Sequence, residues 1–377
     1  MSGGLALASL PDRPLSGLER VLLVADRLMP PFVLQLVLEG QGEVSAERLQ
    51  AALDEAAGAL PGARVRLVGS LKQSRWSHDG PLPRWRQAQA PAWDGQSEAG
   101  APFLADPLSA RGPVLELVQV GPRLVLRALH AAMDGPGLLL FAEALFAALR
   151  GERPAPATAP QRYDRELVDP SLFDQKGNPP ARNMPPLAPT GRGPGSTWRR
   201  LRIPGPGEDL LPRVISALAP GRARVDVPVD LRGREPGLRS TANLCGLVRL
   251  EVGPGVELGR ALAGAVERGE AQRVVAQADA LRGLPLWLLG WAGRREIGRG
   301  QRSGRFTTSA TVSTLGRVDL QALSGGGWQT ARVLLIPPTS PDLPLVVTMV
   351  EDDEGVELVA ATPRGGDPGV ALSRVRR

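Results

Sequence analysis

Leu124-Val125-Leu126-Arg127-Ala128-Leu129-His130-Ala131-Ala132-Met133-Asp134-Gly135-Pro136-Gly137 is the stretch from which the fold can be read. Its first six residues are apolar apart from Arg127 and have strand character. A helical pattern of Leu138, Leu139, Phe141, Ala142, Leu145, Phe146 and Leu149 begins just after the Asp-Gly pair. His130 therefore sits where a strand gives way to a turn, a place that holds a side chain rigidly while leaving it open to a cavity. The only other histidine, His78, lies in the polar, turn-like run Trp76-Ser77-His78-Asp79-Gly80. Imidazole chemistry, if the chain performs any, falls to His130. A lone histidine at a strand end is more often a hydrogen-bonded structural residue than a catalyst, so the catalytic reading needs support from the rest of the chain.

Composition narrows the field. With 377 residues and 42% hydrophobic content, the chain can build sizeable cores in one large two-lobed unit or two domains. The net charge of +6 is carried almost wholly by arginine, since lysine occurs only at Lys72 and Lys176. No run of five or six basic residues is present, and the aromatic residues are not interleaved with basic clusters, so a nucleic-acid partner is not expected. Cys245 is the single cysteine, which excludes an intrachain disulfide and a cysteine metal site; with two histidines, no metal is expected. The N-terminus lacks a basic stretch followed by a sustained apolar core. The greasiest segment, Leu284 to Ala292, is too short to span a bilayer and reads as a core or tunnel-lining helix. A cytoplasmic monomer without a transmembrane segment is the expectation.

Along the chain, Phe32 to Leu38 reads as a buried strand, and Ser45 caps a helix carrying Leu49, Ala52, Leu53, Ala56 and Leu60 that Pro61-Gly62 ends. Arg64 to Val68 alternates as a strand, and Val114 to Val120 with Leu124 to Leu129 forms a hairpin turning at Gly121-Pro122. From Arg153 to about Gly207 the chain holds prolines at 154, 156, 160, 170, 179, 180, 185, 186, 189, 194, 204 and 206. That density forbids regular helices and central strands and predicts an extended crossover. Beyond it, helices are expected at Leu210 to Leu218, Val256 to Val266 and Val274 to Ala292. Strands are expected at Ala223 to Val229, Leu244 to Val252, Thr307 to Leu315, Ala331 to Ile336, Leu345 to Val350 and Val356 to Ala361, the last two joined by a hairpin turn at Asp352 to Gly355. The predicted division is an N-terminal lobe over 1–152, a proline-rich linker over 153–207 and a C-terminal lobe over 208–377, each lobe α+β.

His130-x-x-x-Asp134-Gly135 resembles the HHxxxDG motif of the chloramphenicol-acetyltransferase-like superfamily. That superfamily includes nonribosomal peptide synthetase condensation domains, wax-ester synthases and polyketide-associated acyltransferases. Further stretches are similar to it in the right order: Pro14-Leu15-Ser16-Gly17-Leu18-Glu19, then a strand, then the Leu49 to Leu60 helix and Pro61-Gly62-Ala63-Arg64-Val65-Arg66; Val227-Pro228-Val229-Asp230-Leu231-Arg232, like its Pro-x-x-x-Arg segment; Thr241-Ala242-Asn243-Leu244-Cys245-Gly246, like its Asn-containing strand; and Thr311-Val312-Ser313-Thr314-Leu315-Gly316, like its Ser-Asn-x-Gly strand. The departures are Leu129 in place of the first motif histidine, Thr314 in place of an asparagine, and no Asp-Phe-Gly-Trp-Gly motif.

The resemblance implies two chloramphenicol-acetyltransferase-like lobes, each a mixed sheet with helices, in a pseudo-dimeric V with the site between them and a tunnel open to both faces. It also implies acyl transfer from a CoA or carrier-protein phosphopantetheine thioester to an amine or alcohol, as a standalone enzyme of natural-product biosynthesis with no bound cofactor. In that reading His130 is the general base and Asp134 braces the turn by pairing with Arg232. Gly135 allows a tight turn and offers its amide to an oxyanion, Ser313 is a weaker candidate for the same task, and Asn243 bridges backbone groups as a support. Leu129 suggests altered packing or tuning around the site. Two other readings are a degenerate protein that binds a carrier protein or recruits an enzyme, and a wax-ester or glycerolipid type of O-acyltransferase.

Overall fold

The computed structural model describes residues 10–70, 73–159, 162–174, 181–205 and 209–376. The N-terminal part begins with a short strand β1 (Arg13–Pro14), helix α1 (Gly17–Leu28), strand β2 (Val33–Gln41) and helix α2 (Ala46–Ala59). Both helices start where local chemistry dictates. Ser16 Oγ accepts from the Glu19 amide while the Glu19 carboxylate accepts from the Ser16 amide, a reciprocal cap, and Ser45 Oγ accepts from the Arg48 amide. Strands β3 (Arg66–Val68), β4 (Arg75–Ser77), β5 (Arg84–Gln87), β6 (Leu115–Val120) and β7 (Arg123–Leu129) follow, then helix α3 (Gly135–Leu149).

The C-terminal part contains β8 (Gly193–Pro204), α4 (Leu210–Leu218), β9 (Ala223–Asp230), β10 (Cys245–Val252), α5 (Leu258–Glu267), α6 (Glu270–Asp279), α7 (Leu286–Ser303) and β11 (Ala310–Arg317). It closes with β12 (Gln329–Ile336), β13 (Val346–Asp352), β14 (Gly355–Arg364) and α8 (Gly369–Val375). Two mixed sheets carry the fold, a five-stranded one in the order β12-β2-β7-β6-β5 and a six-stranded one in the order β10-β9-β11-β13-β14-β8; β1, β4 and β3 form a small third sheet.

Period-two alternation sorts the first sheet. Leu34, Leu36 and Leu38 face a core with Leu53, Phe141 and Phe146 of α2 and α3, whereas Val37, Val118 and Val125 face the other way, onto Trp198, Val359 and Ala361 of the second sheet. The second sheet buries Val225, Val312, Val347 and Leu358 with Ile215, Leu258, Val275 and Leu372 from α4, α5, α6 and α8. The α+β class and the two sheet-and-helix lobes are thus observed.

Four expectations need correction. The stretch over 153–207 is not all crossover, because β8 pairs with β14 along its full length; it is the outermost strand, where Pro194 and Pro204 are tolerated. The segment 208–377 does not keep all its strands, since β12 crosses back and pairs antiparallel with β2, Leu335 opposite Leu36. The helix expected over Val274 to Ala292 is interrupted before Pro285, which stands at the N-cap of α7. The apolar segment at the start of α7 is core on one face only: Leu286 and Gly290 are buried and Gly293 lies near Val24 and Leu28 of α1, while Trp287 is 62% and Trp291 54% exposed. Among the described residues no helix is long and apolar enough to cross a membrane, and no group of three or more His, Cys, Asp and Glu side chains could hold a metal.

Candidate active site

His130 is the residue after β7, its amide held by the Phe32 carbonyl at 3.1 Å and its ring stacked on Phe32 with centroids 5.7 Å apart. Nδ1 lies 3.1 Å from the Met133 carbonyl. A carbonyl only accepts, so Nδ1 carries the proton, and Nε2 is left with its lone pair. Burial pushes the imidazole pKa below its ordinary value, against the smaller opposing pull of the Met133 hydrogen bond and the Asp134 charge, so the ring is neutral near pH 7.

The ring borders a cavity of about 210 Å³ between the two halves of the chain. Its wall includes Leu18, Phe32, Leu34 and Gly135 from the first half and Asn243, Cys245, Thr311, Ser313 and Val346 from the second. A wider groove of about 560 Å³, bordered by Leu140, Glu143, Arg239 and Thr314, shares Pro136 and Pro228 with this cavity as walls.

Asp134 does not reach for His130. It caps α3, accepting from the Gly137 amide at 2.8 Å; it also accepts from Arg232 Nη2 at 2.8 Å and Nη1 at 3.1 Å, the Leu244 amide at 2.7 Å and the Cys245 thiol at 3.3 Å. Arg232 in turn gives Nε to the Ser240 carbonyl, Nη2 to the Ala242 carbonyl and Nη1 to Asp230, so every guanidinium hydrogen has an acceptor. Burial opposes the charge on Arg232, and the Asp134 carboxylate outweighs it, holding the guanidinium above its ordinary pKa. This knot ties the start of α3 to the chain around β9 and β10. Burial, then the charge of Asp134, pushes the Cys245 thiol well up, so it is a donor here rather than a nucleophile.

Two glycines open α3 for different reasons. Neither lies in the left-handed region, so the conformational freedom expected of Gly135 is not what the turn uses. A Cβ at Gly135 would meet Leu315 Cδ2 at 2.8 Å, and one at Gly137 would meet the Thr241 carbonyl oxygen at 2.5 Å and Asp134 Oδ1 at 2.9 Å. Close approach between the two halves is the constraint. Gly135 is the first helical residue, and its amide has no intrahelical acceptor.

Leu129 points away from all of this. It is wholly buried with Leu15, Leu23, Val65, Leu67 and Trp76, because neighbouring residues of a strand face opposite sides. The leucine in the first motif position therefore packs the layer beneath α1 and does not touch the cavity. Ser313, in β11 opposite Thr348, lies in the cavity wall. Asn243 lies there too, but no backbone group is bridged by its side chain: the amide nitrogen is buried without a partner. Sequence reasoning missed Phe32, Met133, Gly137 and the Leu244 amide. Met133 and Leu244 act through backbone atoms, which leave no signature in residue type; Phe32 and Gly137 are visible as types, but what they meet is not.

No family model and no curated protein matches the sequence. Solved structures do. The starter condensation domain of rhizomide synthetase RzmA, in a variant complexed with C8-CoA, superposes with a TM-score of 0.62 at 16% identity, covering 97% of this chain and 93% of that one. This chain has the condensation-domain fold. The first condensation domain of the CDA synthetase gives 0.60 at 18% identity over 98% and 95% of the two chains, and the condensation domain of the Monacolin K polyketide synthase MokA gives 0.59 at 13% over 98% and 96%. The likeness runs through nearly the whole of this chain and of those it matches.

Proposed function

We propose that the chain is an acyltransferase of condensation type, taking an acyl group from a CoA or carrier-protein thioester to an amine or alcohol with His130 as general base. The observation that carries this reading is the His130 imidazole bordering a cavity between the two halves, its Nδ1 pinned by the Met133 carbonyl. The acceptor N–H or O–H donates to Nε2 as its heavy atom attacks the thioester carbonyl. The proton passes to the ring, and the tetrahedral intermediate collapses by breaking its C–S bond, with the imidazolium returning the proton to the departing thiolate. Negative charge on the former carbonyl oxygen needs a donor, and the Gly135 amide at the start of α3 is one candidate. Asp134 and Arg232 act on geometry, locking the turn that carries His130. The RzmA structure with C8-CoA supports a CoA thioester as a donor to try first.

The test is single-turnover transfer from octanoyl-CoA and from an octanoyl carrier protein to a panel of amines and alcohols, by the wild type and His130→Ala. Transfer that falls by about 10²–10⁴ in the variant supports the assignment. Equal activity moves the chemistry elsewhere, and no transfer by either protein leaves a binding role. A lipid-facing O-acyltransferase is the second reading, favoured by the exposure of Trp287 and Trp291 on α7. Preference for long-chain alcohols over amines, with vesicles raising the rate, would select it.

A further inference from the structure

Helix α7 presents to solvent the two most exposed large apolar side chains among the described residues, Trp287 and Trp291. At 3.6 residues per turn they share an arc of about 100° with Arg294, Arg295, Gly298 and Arg302. The buried positions Leu286, Gly290 and Gly300 lie outside that arc, as does Gly293, which meets Val24 and Leu28 of α1. The Arg295 guanidinium sits over Trp291, 5.6 Å from the ring centroid. The one acidic residue of α7, Glu296, is also outside the arc and is taken by Arg182 at 3.0 Å and by Arg299. The outer stripe is therefore tryptophan at its start and arginine beyond, with no negative charge on it.

Arginine in this chain is often ion-paired, as Arg13 is with Glu19 and Arg202 with Asp352, but Arg294, Arg295 and Arg302 have no ion-pair partner among the described residues. A protein partner would offer carboxylates at fixed points, each needing its own arginine geometry, whereas the phosphates of an anionic leaflet meet all three cations at once. The two indoles are apolar rings with a polar edge, and such side chains settle at the boundary between hydrocarbon and headgroup. Tryptophan and arginine together hold a helix in that boundary, the rings at its edge and the guanidinium groups among the phosphates. On the inner side, α7 packs on Val24 and Leu28 of α1, and α1 gives Leu18 and Leu22 to the wall of the cavity beside His130. Helices α7 and α1 are thus stacked between the stripe and that cavity.

We infer that the outer stripe of α7 docks the protein on an anionic lipid bilayer, with Trp287 and Trp291 entering the headgroup boundary and Arg294, Arg295 and Arg302 lying along the lipid phosphates. The inference goes beyond the acyltransferase reading and holds whichever acceptor the site takes, since it rests on this face and not on His130.

The experiment sediments the full chain with vesicles of phosphatidylcholine alone and of phosphatidylcholine mixed with phosphatidylglycerol. The protein pellets with the anionic vesicles far more than with the neutral ones, and added salt weakens the binding. Trp287→Ala/Trp291→Ala lowers the partition by more than about tenfold. Arg294→Gln/Arg295→Gln lowers it by about fivefold for each charge removed. Arg260→Gln/Arg268→Gln, the same change of charge at exposed positions on and just after α5, lowers it far less. All three variants alter exposed side chains and melt with the wild type. No binding to anionic vesicles overturns the inference, and so does binding indifferent to the tryptophans or to lipid charge. Equal losses from the two arginine pairs mark attraction to the net charge of the whole chain and overturn it as well. Capture of an acidic carrier protein through this face, with vesicles left unbound, assigns the face to a protein and has the same effect. None of these measurements needs turnover, so failure here leaves the acyltransferase proposal standing, and failure of transfer leaves this inference standing.

Discussion

Replacing Asp134 by alanine separates bracing from catalysis. The carboxylate is 4% exposed and its partner guanidinium 10%, so the substitution strands a buried cation. Breaking such a pair costs about 3–5 kcal/mol. The lower end applies, because Arg232 keeps Asp230 and the carbonyls of Ser240 and Ala242. The Leu244 amide, left without its acceptor, adds about 1 kcal/mol, giving about 4 kcal/mol in all. An unfolding entropy of about 2.1 cal/mol/K per residue amounts to about 0.8 kcal/mol/K for a chain of this length, so the melting temperature should fall by about 5 °C. Thermal and urea unfolding followed by circular dichroism measure this beside single-turnover transfer. Asp134→Ala/Arg232→Met, which removes the stranded charge with its partner, should recover part of the loss. A variant that melts with the wild type and has lost transfer would refute the bracing role and put Asp134 in a triad.

The pH–rate profile of the wild type should rise through an apparent pKa below the ordinary histidine value of about 6.5, since burial lowers that of His130 and the neutral ring is the base. For the same reason His130 contributes stability that is present above about pH 6.5 and lost as pH falls through its lower folded value, and His130→Ala should flatten that acid limb in a melting-temperature series. Gly137→Ala, forcing a Cβ to within 2.5 Å of the Thr241 carbonyl, should destabilise the fold by about 1–3 kcal/mol in urea unfolding, more than Gly135→Ala, whose clash is with the movable end of Leu315; equal effects would count against the close-approach argument. Asp164 is 1% exposed beside the Arg13–Glu19 pair, one of its oxygens without a partner, and burial followed by the charge of Glu19 pushes its pKa up to about 7. A folded pKa above the unfolded one costs stability as pH rises through it, so Asp164→Asn should raise the melting temperature more at pH 8 than at pH 5; a gain independent of pH would reject the shift.

How much of this was legible in the sequence follows from what each feature is made of. The strand–His–turn–helix unit was legible because a short, almost continuous apolar run ends at His130 and, after the Asp134-Gly135 turn, a longer apolar stretch begins, both written in side chains. The long-range partner Arg232 was legible only through family resemblance, as nothing in the 97 residues between it and Asp134 encodes their meeting. Helix α1 has a local signal that apolar periodicity does not show, Ser16 and Glu19 at capping-box spacing. Propensity alone misplaced β8 and the start of α7. A proline count does not say whether a strand lies at an edge, and an apolar run need not be buried, since apolar surface is common on folded proteins.

The site itself shows the deeper limit. Asp134 is addressed by two backbone amides, a guanidinium and a thiol drawn from positions 137, 232, 244 and 245, and the imidazole tautomer is set by the carbonyl of Met133. Backbone groups are the same at every residue, so sequence pattern cannot mark them; only the fold decides which face the site. The residue types that chemistry requires are visible in the chain, but whether each is satisfied is a property of the three-dimensional arrangement. That is why Asn243 reads as a support from its place in a motif and as an unpaired donor once its surroundings are known.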